Sequence, residues 1–109
     1  MLNQNFTNMN ITLPNGYQMT TTFFQDFGIA EAFGLNAVED TFENAFNSWK
    51  HDYVYLTELA IVMSNNSIAH YNSNRELAFL YSDLYHKVDN YCMNKLKGEA
   101  LNFYLRATD

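Results

Sequence analysis

The sequence has little of what most often announces a function. It holds one cysteine, Cys92, so no disulfide can form within the chain, which points to a reducing compartment. No apolar run approaches the roughly 20 residues that a membrane-spanning helix needs. The opening stretch "MLNQNFTNMNITLPNGYQ" has neither a basic beginning nor an apolar centre, so it does not read as a secretory signal. These absences lead us to expect a soluble, cytoplasmic protein that makes no use of a membrane. Basic residues are missing from residues 1–49, which contain Asp26, Glu31, Glu39, Asp40 and Glu43 but no Lys or Arg. Neutralising phosphate supplies most of the affinity of nucleic-acid binders, so this half argues against direct binding to DNA or RNA and leaves a basic protein partner open. Catalytic signatures are missing too: there is no G-x-S-x-G, no Walker loop, no H-E-x-x-H and no paired C-x-x-C.

What is present is apolar and aromatic. Of 109 residues, 48% are hydrophobic and 17% aromatic, with nine Phe and eight Tyr, far from the composition of a disordered chain. Rings bury large areas, and a Tyr that is buried has to satisfy its hydroxyl, so many tyrosines are expected at the edge of the core. The net charge of -6 is spread unevenly, because residues 50–109 carry seven acids against six bases. Asparagine is abundant, at fifteen residues, as in proteins of AT-rich coding genomes, and the glycosylation sequons at Asn5, Asn10 and Asn65 follow from that abundance.

Residues 1–19 differ from the rest: polar, uncharged and holding the chain's single proline. Pro14-Asn15-Gly16 is turn chemistry, so this segment reads either as a short β-hairpin or as a flexible leader, with Met19 as an alternative start. From residue 20 to 109 we expect a single all-α domain, a compact bundle of about four to five helices. Thr22 with Gln25 forms a capping-box pattern, Asp26 is a second candidate cap, and Gly34 ends the short helix that follows. Asn36 with Glu39 opens the next segment, in which Phe42, Phe46, Trp49, Tyr53, Leu56, Ala60 and Met63 alternate in steps of four and three, one helical face. Ser73 with Glu76 opens a third, with Leu77, Leu80, Tyr81, Leu84, Val88, Tyr91 and Cys92 on one side. Gly98 is a stop or kink before a terminal helix with Leu101, Tyr104 and Leu105 facing inward.

The segment 37–71 poses a length problem. As one helix it would run about 52 Å, longer than the ~35 Å width of a domain this size. It must therefore break, either at Lys50–Asp52, where Asp52 can cap a new helix, or within "SNNS" at 64–67. The densest run of reactive side chains, "SWKHDYVYLTEL", lies across the first of these, and we read it as a joint. His51 points outward, at about 200° from Trp49 and Tyr53, and provides with Glu58 too few ligands for a metal. His70 and His86 read as exposed or hydrogen-bonded histidines, and Cys92 as a buried, inert thiol. No catalytic, cofactor or metal site is expected.

Three stretches, "TTFFQDFGIAEAFG", "DTFENAFNSWKHDYVYLTELAIVM" and "LKGEALNFYLRATD", resemble small, uncharacterised all-α proteins encoded on mobile elements of gut anaerobic bacteria. The resemblance spans about residues 20–109. Members carry a glycine near the position of His51, which implies the break at 50–52, and lack the "SNNS" bias. It brings no activity, and implies a mobile-element setting in which small accessory proteins bind other proteins. The expected function is a non-catalytic interaction module that contacts a protein partner or a second copy of itself. The candidate surface is Glu31, Glu39, Asp40, Glu43, Tyr55 and Tyr85. The alternative is a decoy or regulator of a nucleic-acid-binding protein such as a host nuclease.

Overall fold

A computed structural model describes residues 21–108; the expected hairpin or leader lies outside them. The described chain is an all-α bundle of five helices: α1 (Phe23–Glu31), α2 (Leu35–Trp49), α3 (Tyr53–His70), α4 (Arg75–Lys95) and α5 (Gly98–Thr108). Its extents are 38 × 33 × 26 Å, which no unbroken helix over 37–71 would fit.

The break falls at the first of the two candidate places. Asp52 has extended backbone, and its carboxylate accepts from the backbone N–H of Val54 at 3.0 Å and of Tyr55 at 3.3 Å, two of the donors that the start of a helix leaves unpaired. The "SNNS" stretch, by contrast, lies within α3. One of its poor helix formers is used to join helices: Ser67 Oγ donates to the carbonyl of Ala78 at 2.8 Å.

Of the other expected starts, that of α1 holds in position and those of α2 and α4 shift by two residues and by one. Thr22 does stand before α1, but its hydroxyl donates to the Asp26 carboxylate rather than capping the backbone. α2 begins at Leu35, with Gly34 in the capping position and Asn36 already helical, because Gly34 (φ 111°) makes the tight turn that an L-residue resists. α4 is capped by Asn74 rather than Ser73: its side chain accepts from Leu77 N–H at 3.1 Å. The break before the terminal helix falls at Leu96, whose backbone is extended, and Lys97, and Gly98, with φ 60°, is the first residue of α5.

α3 and α4 form the central hairpin, α1 and α2 pack beside it, and α5 lies against α3. The inward face of α4 is as expected, with Leu77, Tyr81, Leu84, Val88 and Cys92 buried. Two expectations about single residues fail. Trp49 is 39% exposed, because the chain turns directly after it and the spacing that placed it on the face of α3 does not survive the turn. Leu105 points to solvent, and the inward face of α5 runs instead through Tyr104 and Ala107, three residues apart.

Candidate functional site

Among the described residues the strongest convergence of chemistry-bearing side chains lies where α1, α3 and α4 meet. Phe23, Phe27 and Ala30 turn one face of α1 into the core, and Glu31, next in the chain, reaches past that face toward the hairpin. Its carboxylate accepts from the hydroxyl of Tyr81 at 2.5 Å and meets Nε2 of His70 at 3.1 Å. The His70 ring stacks on Tyr81 with centroids 6.0 Å apart and planes 12° from parallel, while Phe27 meets Tyr81 edge-on at 6.0 Å. Burial first, and then the Glu31 hydrogen bond, push the Tyr81 phenol far above its ordinary range, so its oxygen stays a donor.

A carboxylate, a histidine and a tyrosine in contact are the parts of a proton relay. Here Tyr81 is wholly buried, and Glu31 spends its oxygens on two neighbours from other helices. The arrangement works as a bolt: it ties the end of α1 to both halves of the hairpin and satisfies a buried phenol. A second bolt fixes α5. Tyr104, fully buried, donates to Asp89 Oδ1 of α4 at 2.5 Å, and burial with that bond pushes its phenol up as well. Beside it the Cys92 thiol is pushed up to about 12, by burial first and by Asp89 second, which removes its thiolate character.

The six residues singled out in the sequence separate into different environments. Glu31 is an internal fastener, its side chain 22% exposed, and does not join the others on an outer face. Glu39 and Asp40 are exposed on α2. Glu43 pairs with Lys87 of α4 at 3.1 Å, both largely in solvent, an arrangement that typically contributes under about 1 kcal/mol. Neither tyrosine stands free. Tyr55 is half-buried edge-on against Trp49, at 4.3 Å, and Tyr85 is half-buried against the core and edge-on to His86. They lie off the main apolar faces of their helices, but neighbouring rings cover them.

Sequence reasoning missed the most exposed large apolar side chains: Phe33 at 78% and Ile68 at 72%, with Ile29 and Phe79 also above half. Phe33 had a legible signal, since it sits just before Gly34, in the turn where α1 has already ended. His51 is exposed, and no group of three or more His, Cys, Asp or Glu side chains among the described residues could hold a metal ion. None of the helices among them is long and apolar enough to cross a membrane. No family model, curated protein or solved structure matches the chain.

Proposed function

We propose that the chain is a small, non-catalytic protein-interaction module whose α1–α2 half meets a basic protein partner. The observation that carries this reading is the outer side of α2: Glu39 and Asp40 stand in solvent, with the exposed ring of Phe33 in the turn just before the helix. An acidic surface next to an uncovered ring suits a partner that offers both positive charge and apolar area. The one histidine that meets a carboxylate does so in a structural bolt, which supports a binding role over catalysis. The resemblance to mobile-element proteins supports the same setting.

The test is the double change Glu39→Lys, Asp40→Lys, assayed by capture of the partner in a nuclease-treated lysate of the native host. Capture is abolished and the melting temperature holds, because both side chains are exposed. Unchanged capture by the double variant refutes the reading. If the tagged protein brings down only itself, self-association replaces the partner.

A decoy or regulator of a nucleic-acid-binding protein is the second reading, favoured by the absence of any base from residues 1–49. It requires capture that falls steeply with salt and is competed by DNA. Capture that persists at high salt and in the presence of DNA removes it.

A further inference from the structure

An open groove of about 280 Å³ runs between α1 and α2, and its walls combine one carboxylate, aromatic rings and small polar groups. α1 contributes Phe23 and Asp26; α2 contributes Thr41, Asn44, Ala45, Ser48 and, at its end, Trp49. Tyr55 lies edge-on against the indole at 4.3 Å and holds it in place. Among the described residues, Asp26 accepts from one donor, the Thr22 hydroxyl, at 3.2 and 3.3 Å. A carboxylate has about four lone-pair sites, so acceptor capacity remains. No Lys or Arg lines the groove. Asp40 lies one helical turn before Asn44 on the row that continues through Ser48, so the acidic surface of α2 leads into the groove.

A carboxylate beside an indole, with amide and hydroxyl groups around them, suits a planar organic cation. A guanidinium can lie on an aromatic face while its N–H fork meets a carboxylate; an ammonium offers neither the plane nor the fork. We propose that this groove receives an arginine side chain presented by a protein partner. The proposal rests on the interaction reading above and names the group that the partner would offer.

Trp49 is the chain's single tryptophan, so its fluorescence reports on the groove directly. The probe is N-acetyl-arginine amide, with N-acetyl-citrulline amide as its neutral counterpart of nearly equal shape. The expected result is a saturable change with the arginine probe and half-saturation at about tenfold or more higher concentration with citrulline, the margin that a charged partner gives over a neutral one. Asp26→Asn weakens the arginine response by a similar factor. Ser48→Arg, at an exposed position of α2, fills the groove from within and abolishes the response; its melting temperature checks that the fold is kept. A capped Ala-Arg-Ala peptide binds at least as well as the single residue. Equal responses to arginine and citrulline overturn the proposal, as does an unchanged response in either variant. Binding of the free residue with exclusion of the peptide also overturns it, because the groove would then take a small free cation. Loss of the arginine response leaves the acidic-face reading standing, since that reading falls only if the Glu39→Lys, Asp40→Lys variant still captures the partner.

Discussion

α2 and α3 follow one another with Lys50, His51 and Asp52 between them, yet they meet water in opposite ways. α2 buries Val38 and Phe42 completely and leaves most of its circumference wet. α3 is buried without interruption from Leu56 to Met63, polar Thr57 and Glu58 included. The cause is position: α3 has α4 on one side, α5 on another, and α1 and α2 on a third. A helix enclosed in this way has to satisfy its polar groups within the protein. Thr57 Oγ1 donates to the carbonyl of Tyr53 at 2.8 Å, and Glu58 accepts from the backbone N–H of Thr21 at 3.0 Å. The lesson is a division of labour: α3 holds the fold together, and α2 leaves most of its surface in water, the surface on which the proposed partner would dock.

The largest expected effect tests that division. Leu59, fully buried in α3, has no room to be replaced by water, and Leu59→Ala should cost about 2–5 kcal/mol through lost transfer energy and the cavity left behind. Leu35→Ala, at the partly exposed start of α2, should cost about 1 kcal/mol or less. Urea unfolding followed by circular dichroism measures both. Equal losses would mean that the two helices share the load and would break the comparison.

The bolts on either side of α3 sharpen it at alkaline pH. Tyr81 and Tyr104 are held above the ordinary phenol value of 10.0 by burial first and by their hydrogen bonds to carboxylates second. Each therefore keeps its proton in the folded state where the unfolded chain would lose it. Stability from these groups is fully present below pH 10 and falls as pH rises above it, by at most about 1.4 kcal/mol per pH unit for each tyrosine. Melting temperature measured from pH 8 to 11 should drop in the upper part of that range, and Tyr81→Phe should flatten the drop. In the same titration, ultraviolet absorbance should show these two ionising only as the chain unfolds. Ionisation of Tyr81 or Tyr104 with the fold intact would mean that the bolts are loose.

How much could be read from the sequence follows from the same contrast. α4, wet along one side, showed its face plainly: all of its buried residues but Ala78 are ones that the spacing picked out, with Leu80 and Tyr91 partly buried beside them. α3 has almost no polar side, so periodicity located the helix but not its surroundings, and one pattern appeared to run on through Trp49. The break at 50–52 was legible as a capping residue, although choosing it over 64–67 needed the knowledge that Ser67 bonds across to α4. Glu31 looked like one more surface acid because its partners, His70 and Tyr81, lie 39 and 50 residues away. The groove escaped for the same reason, since Asp26 and Trp49 become neighbours only when α1 folds back on α2.

The smallest effect concerns how the two helices begin. α3 starts on a side-chain cap and α2 on a glycine without one. Asp52→Ala removes the acceptor for two backbone N–H groups and should cost about 1 kcal/mol, whereas Asp52→Asn should keep most of that and Asp52→Gly should lose only a few tenths. At the start of α2 the requirement is the backbone itself. A Cβ at Gly34 would meet nothing within 4 Å, yet φ of 111° is strained for any L side chain, so Gly34→Ala should cost about 1 kcal/mol or more although the site is open. Thermal melts of the four variants separate the two causes. Asp52→Gly should outlast Asp52→Ala, because glycine is an acceptable cap where alanine is not. If Gly34→Ala proves neutral while Asp52→Ala destabilises, the turn before α2 can relax, and the start of α2 is adjustable where the start of the central helix is fixed.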